Sequence, residues 1–307
     1  MSDATAPCPS CGTPGARSRG EIPAGPGHFA GNALNKPMLA GELFECHACH
    51  LFFRHPRPSA AELKALYAGV KSDYWAYKLD ERYDWRRTIE ILNAACKNGA
   101  VLDIGCHDGA FLTFLGAGFK RFGIEMNSNA AAIAKASGIE IAGAELSAAE
   151  RLPPLDAITA FDVIEHVPDP LAFVTAAARR LKPGGMLILA SGNAQARTWQ
   201  FMESDYWYCA MPEHISFISP EWVETAAGKT GLKIERIEAY SHDRNPTLLK
   251  FAYESISNLI YKISPPLAFW LKKKFVSVGR GGSYTPVDTP PSWGTAKDHI
   301  FVVLTKE

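Results

Sequence analysis

The sequence predicts an open, doubly wound α/β sheet preceded by a small metal-stapled module, and three observations carry that expectation. From Gly99 onward, short apolar strands alternate with helical stretches. Strand, helix and strand at these spacings imply right-handed crossovers and a parallel sheet covered on both faces. Second, a strand runs into a glycine turn and a helix start in V-L-D-I-G-C-H-D-G-A-F-L, residues 101–112. Ligands bind in sheets of this kind at that carboxyl edge. Third, two C-x-x-C pairs, Cys8 with Cys11 and Cys46 with Cys49, stand in an N-terminal stretch with little apolar periodicity.

Residues 1–57 read as one compositional block, Gly/Pro-rich from Gly20 to Pro37 and closed by E-C-H-A-C-H-L-F-F. So short a block buries too little surface to fold unaided. Four thiolates on two tight knuckles would hold one tetrahedral zinc, because a two-residue spacing lets both sulfurs of a pair reach the same ion. The 34 residues between Cys11 and Cys46 exceed the commonest gap, but loop closure grows only logarithmically with length. Two free redox pairs are the alternative, and His47 and His50 are spare donors. Residues 58–98 read as a helical linker or cap. Within it Ser59-Ala-Ala-Glu-Leu starts an N-capped helix to Tyr67, and a second helix from Tyr83 to Lys97 puts Ile89, Leu92 and Cys96 on one face.

Residues 99–307 form the main domain. Expected strands are Ala100–Ile104, Arg121–Glu125, Ile139–Ala142, Ala157–Val163 and Met186–Ala190, with helices Ala110–Leu115, Asn129–Ala136 and Pro170–Leu181 between them. Then follow an aromatic loop from Trp199 to Trp207, the segment P-E-H-I-S-F-I-S, a helix Glu221–Thr230 and a strand Lys233–Ala239. A helical stretch from Pro246 to Phe275, interrupted at Pro265-Pro266, precedes a last strand His299–Leu304. Residues 192–220 and 246–297 are read as acceptor-side loops and a lid.

The chain has 307 residues, 32 Lys plus Arg and 32 Asp plus Glu, and a formal charge of +0. There is no global field to concentrate on a nucleic-acid backbone, so no nucleic-acid partner is expected. The start M-S-D-A-T-A-P-C shows no basic region followed by an apolar one, and no uncharged apolar run reaches the length of a membrane span. Cytoplasmic residence is therefore expected.

In 101–112 only Gly105 and Gly109 are present, spaced G-x-x-x-G. A pyrophosphate needs close backbone approach at several points, so this turn suits a nucleoside without phosphates. Twenty residues past Gly105, Glu125 ends the second strand, where a carboxylate can accept both ribose hydroxyls. With Asp103, F-D-V-I-E-H-V-P-D-P at 161–170 and L-K-P-G-G-M-L-I-L at 181–189, the order resembles the class I S-adenosylmethionine-dependent methyltransferases. The likeness covers about residue 60 to the end, and cysteine knuckles recur in members of the group. The nearest likeness is to the ubiquinone-biosynthesis O-methyltransferases and to enzymes of sugar and natural-product pathways.

The resemblance implies a Rossmann-like seven-stranded sheet beside the small zinc-ribbon-like module, with S-adenosylmethionine and structural zinc as cofactors. It places Asp103, Gly105, His107 and Gly109 around the methionine part, Glu125 at the ribose and Met126 on the adenine face. Glu145 and Leu146 fall at the adenine edge, and Phe161 and Asp162 complete the pocket. The group often has glycine at the position of His107, a residue that tolerates positive φ better than most.

Methyl transfer from a sulfonium is an in-line displacement that rests mainly on positioning. A hydroxyl acceptor must still lose a proton, and His166 and His214 are the candidate bases. Each has a plainer reading, ordering the cofactor loop or fixing a loop onto the sheet. Asp162, Glu165 and His166, spaced D-x-x-E-H, are similar to the acidic E-x-x-E-H of the ubiquinone O-methyltransferases, which implies a Mg²⁺ site. A small-molecule oxygen is the expected acceptor. The alternatives are C-methylation of a nucleotide-linked sugar, or an RNA or protein acceptor docked by the zinc module. Residues 246–280 hold six basic residues against one acidic, read as a lid or dimer helix with a solvated basic face. A membrane-surface contact and a homo-oligomer are the other readings of this segment.

Overall fold

The computed structural model describes residues 6–23, 28–30, 32–34, 40–68, 79, 82–95, 98–241, 243, 246–276 and 289–307. Residues 24–27, 31 and 35–37 of the Gly20–Pro37 stretch, Cys96 and Lys97 at the end of the second expected helix, and residues 277–288 of the expected lid lie outside the described residues.

The main sheet has seven strands in the order β12-β13-β10-β9-β6-β7-β8. These are β6 (Gly99–Ile104), β7 (Phe119–Ile124), β8 (Glu140–Gly143), β9 (Leu155–Phe161), β10 (Leu181–Gly192), β12 (Leu232–Tyr240) and β13 (His299–Lys306). The β6–β10 core is parallel, as the alternation predicts, and β13 enters antiparallel between β10 and β12. The sheet is thus mixed at one end. Val101, Leu102, Ile158, Leu187 and Ile188 are fully buried, because a sheet covered on both faces leaves no polar side.

Helices flank it: α3 (Ala110–Thr113), α4 (Ser128–Ala136), α5 (Pro170–Arg180) and α7 (Pro220–Thr230). Each longer one starts on a readable cap. Asn127 accepts from the N–H groups of Asn129 and Ala130, Asp169 from Ala172, and Ser219 from Trp222. On the N-terminal side lie α1 (Ala60–Ala68) and α2 (Tyr83–Ala95). A reciprocal Ser59–Glu62 capping box opens α1. The expected aromatic loop contains a helix, α6 (Arg197–Met202), and two 3-10 turns, Glu203–Asp205 and Trp207–Ala210. The helical stretch after Pro246 is two helices, α8 (Leu248–Ile263) and α9 (Pro265–Val276). The prolines begin α9, where a missing N–H costs nothing.

The N-terminal block differs most from its sequence reading. It builds strands β1 (Arg17–Ile22), β4 (Gly41–Glu45) and β5 (Phe52–His55), besides a two-residue ribbon of β2 (His28–Phe29) with β3 (Asn32–Ala33). These strands continue into β11 (Ser216–Phe217) of the main domain, giving a second sheet ordered β1-β4-β5-β11. Phe44 and Phe53 stack at 5.7 Å inside it.

Candidate functional site

The turn after β6 needs its glycines. Gly105 has φ +72 and a Cβ there would lie 2.7 Å from Val163 Cγ2, while Gly109 has φ +78 and a Cβ would lie 2.9 Å from Ile139 Cγ1. Between them His107 adopts φ 50, the left-handed conformation that glycine would take more easily. That twist aims the His107 N–H at Glu125, which accepts it at 2.8 Å through Oε2 and accepts the Asn127 N–H at 2.7 Å through Oε1. A carboxylate offers about four lone-pair sites, so Glu125 keeps capacity for two ribose hydroxyls. The Glu125 N–H donates to Gly143 O at 3.1 Å. Glu125-Met126 and the segment leading to Glu145-Leu146 therefore start from adjacent strand ends. Met126 is half exposed, and Glu145 pairs with Lys64 of α1 at 3.0 Å.

Asp103 is buried at the end of β6, where the Thr159 hydroxyl donates to it at 2.6 Å. Burial pushes its carboxyl up to about 7, against the lowering effect of that hydroxyl. Phe161 packs edge-on against Phe111 at 4.9 Å. Asp162 has φ 52 and pairs with Arg82 at 2.8 Å.

Arg82 was not visible as a site residue in the sequence. It precedes α2, is 6% exposed, and its guanidinium also engages Asp84, with Nε at 2.9 Å from Oδ1. Burial works against this cation, but Asp162 and Asp84 more than offset it and hold it well above the ordinary arginine range. Arg82, Asp84, Tyr240, Asp243 and Lys297 line a cleft of about 400 Å³ beside the ends of β12 and β13. In E-R-Y-D-W only Asp84 is a neighbour of the arginine, and the other acidic partner, Asp162, lies 80 residues further on.

The second missed group is Asp298-His299 at the start of β13. His299 Nδ1 lies 2.8 Å from Asp298 Oδ1, and both residues are buried. Burial alone would lower the His299 pKa, yet the Asp298 carboxylate raises it on balance. The pair stands 5.4 Å by ring centroids from Tyr208.

The two histidines singled out from sequence come together. Their rings are 4.9 Å apart. His166 Nδ1 faces Glu213 O at 2.9 Å and His214 Nδ1 faces Tyr208 O at 3.1 Å. A carbonyl can only accept, so each Nδ1 carries a proton directed at its carbonyl. Burial drives the His214 pKa well below the ordinary histidine value, and His166 adds to the effect. His214 is therefore neutral near pH 7. Glu165 lies fully buried beside them, accepting from the Tyr208 hydroxyl and from Ser191 Oγ at 2.9 Å. Burial raises its pKa against the opposing influence of His166.

One ligand atom each from Glu165, His166 and His214 lies within 4.8 Å of the others. The D-x-x-E-H expectation thus needs correcting: Asp162 is turned to Arg82, and His214 from a distant segment takes its place. Two imidazoles and one carboxylate suit a borderline transition cation better than Mg²⁺, which prefers an all-oxygen shell. Trp199, at the start of the expected aromatic loop, is a core residue, 1% exposed and stacked on Tyr206 at 4.9 Å.

The segment bearing His214 is held by the N-terminal module. Arg54 of β5 donates its N–H to Ile215 O at 3.1 Å and its guanidinium to Cys209 O at 2.8 Å. Ser219 donates to His50 O at 3.0 Å, and Trp222 Nε1 to Ser10 Oγ at 3.0 Å. The module is organised around Cys8, Cys11, Cys46 and Cys49, whose sulfurs converge within 4.8 Å. The closest pairs, Cys8 with Cys49 and Cys11 with Cys46, are 3.5 Å apart. Sulfurs about 2.3 Å from a common tetrahedral ion would stand at nearly this separation, so the four residues fit zinc. His47 and His50 are not in that group.

A family model described as a methyltransferase domain matches residues 75–237. A ubiquinone biosynthesis O-methyltransferase of Thiobacillus denitrificans is 28% identical over 176 residues, which span 52% of this chain and 75% of that protein. Among solved structures, a putative methyltransferase of Bacillus halodurans superposes with a TM-score of 0.50 at 19% identity, covering 73% of this chain and 99% of that one. Phosphoethanolamine N-methyltransferase 2 of Haemonchus contortus, solved with S-adenosylmethionine, gives 0.51 at 17% identity, over 83% and 61% of the respective chains. The chain belongs to the methyltransferase-domain family and has the class I fold of the S-adenosylmethionine-dependent enzymes.

Proposed function

We propose that this chain moves the methyl group of S-adenosylmethionine to a hydroxyl oxygen of a small-molecule acceptor. The observation that carries the reading is the meeting of Glu165, His166 and His214 on segments that leave the sheet at its carboxyl edge, the same edge as the His107–Glu125 cradle. In it, Asp103, Gly105, His107 and Gly109 surround the methionine part and Glu125 takes the ribose. Met126, Glu145 and Leu146 border the adenine, and Phe161 and the Arg82–Asp162 pair close the pocket. The acceptor oxygen attacks the methyl carbon in line with sulfur. The C–S bonding pair returns to sulfur, leaving S-adenosylhomocysteine, and the acceptor proton passes to His214 Nε2. His166 orients the acceptor beside it.

A second reading rests on the same three side chains. Glu165, His166 and His214 could hold a transition cation, which would acidify a bound hydroxyl. In both readings residues 99–307 carry the transfer, 58–98 cap it, and 1–57 hold structural zinc on Cys8, Cys11, Cys46 and Cys49.

Incubation with methyl-labelled S-adenosylmethionine and a metabolite extract freed of macromolecules tests the proposal. Label is expected in a small molecule, at oxygen. Label appearing only when RNA or protein is restored would overturn it, and label on carbon would shift it to the sugar C-methylation alternative.

A further inference from the structure

Helix α8 is built inside out. At 3.6 residues per turn, Leu248, Leu249, Tyr253, Ile256, Leu259 and Ile263 fall on one side, and they are 89%, 82%, 68%, 58%, 45% and 76% exposed. The opposite side, carrying Glu254, Asn258 and Tyr261, is the buried one. Glu254 accepts from the Thr295 N–H at 2.9 Å, and Tyr261 packs against Phe269 of α9 at 5.5 Å. Scattered surface leucines need no explanation, whereas a continuous apolar face along a helix marks an interaction surface.

The charges around this face choose its partner. Over residues 246–276 the ionisable acid is Glu254, which is buried, while Lys250, Lys262, Lys272, Lys273 and Lys274 supply positive charge. Lys250 and Lys262 are paired with Asp243 and Asp205 at 2.6 and 3.0 Å. Lys273 and Lys274 stand exposed at the end of α9 beside the half-exposed Trp270. The pair of helices therefore presents exposed apolar side chains together with lysines, with Lys274 Nζ 4.1 Å from the Trp270 ring and with Trp270 and Tyr253 as amphipathic rings. A second copy meeting the same face would bring no carboxylate from these helices to answer the lysines. No helix among the described residues is long and apolar enough to cross a membrane.

We propose that α8 and α9 form an interfacial docking surface for an anionic lipid bilayer, lying in the headgroup plane with the α8 apolar face inserted. The surface is independent of the acceptor chemistry proposed above. Co-sedimentation of the full-length, zinc-loaded chain with phosphatidylcholine vesicles, alone or mixed with phosphatidylglycerol, tests it. Binding is expected to the mixed vesicles and to weaken with salt. The double variant Leu249→Asp, Ile256→Asp, and separately Lys273→Glu with Lys274→Glu, should each lower it by about tenfold or more. S-adenosylhomocysteine affinity should stay unchanged in both, which verifies that they fold. Absence of binding to the mixed vesicles, or binding unaltered in both variants, overturns the proposal. A wild-type dimer in sedimentation equilibrium that Leu249→Asp, Ile256→Asp dissociates, with no vesicle binding, would assign the face to a second copy.

Discussion

The proposed cofactor side and the proposed acceptor side of the site are built differently. The cofactor side draws on residues 103–127, where one turn, one strand end and one carboxylate lock together through the His107 and Asn127 N–H groups. The acceptor side is assembled from distant pieces. Glu165 and His166 follow β9, His214 lies before β11, and β5 of the cysteine module clamps the His214 segment. A local motif fixes a common ligand, while long-range assembly leaves the second substrate free to change without disturbing the first.

Breaking the module should have the largest effect. Cys46→Ser should reduce zinc from about one ion per chain to near zero, removing roughly 10 kcal/mol that a structural zinc contributes to folding such a module. Metal analysis with limited proteolysis of residues 1–57 reads this, and zinc content equal to wild type would refute the assignment. Next comes Arg82→Met, which leaves Asp84 and Asp162 without their buried cation. The expected loss is about 3–5 kcal/mol of stability in urea unfolding, and a loss below 1 kcal/mol would show the network to be slack. On the cofactor side, Glu125→Ala should weaken S-adenosylmethionine binding by about 1.5–3 kcal/mol in a calorimetric titration. Unchanged affinity there would mean that β7 does not end at the ribose.

The same contrast explains what was readable beforehand. The turn at 101–112, Glu125 and the Ser59–Glu62 cap of α1 follow from neighbours within a few residues, so composition and spacing expose them. The proximity of His166 to His214 follows from the Ile215 N–H donating to Glu165 O at 2.9 Å and from His166 Nδ1 facing Glu213 O, on a segment that continues into β11 and so pairs with β5 of the Gly/Pro-rich N-terminal block. Its strands are short, and β11 has two residues, too few to show alternation. D-x-x-E-H looked like a unit because its members are close in sequence. In the fold Asp162 instead pairs with the buried Arg82. The aromatic run at 199–208 read as a loop because its short helix and 3-10 turns lack a repeating apolar stripe.

In the proposed function the acceptor half carries proton removal and leaves cofactor binding to the other half. Comparing His214→Ala with wild type, on the acceptor found by the labelled-extract assay, tests this division. Measured together, kcat should fall by about 10²- to 10⁴-fold while S-adenosylhomocysteine affinity stays within error of wild type, because a general base acts only in the transition state. Turnover equal to wild type would remove His214 from the chemistry, and a parallel loss of cofactor affinity would show that the two halves are one.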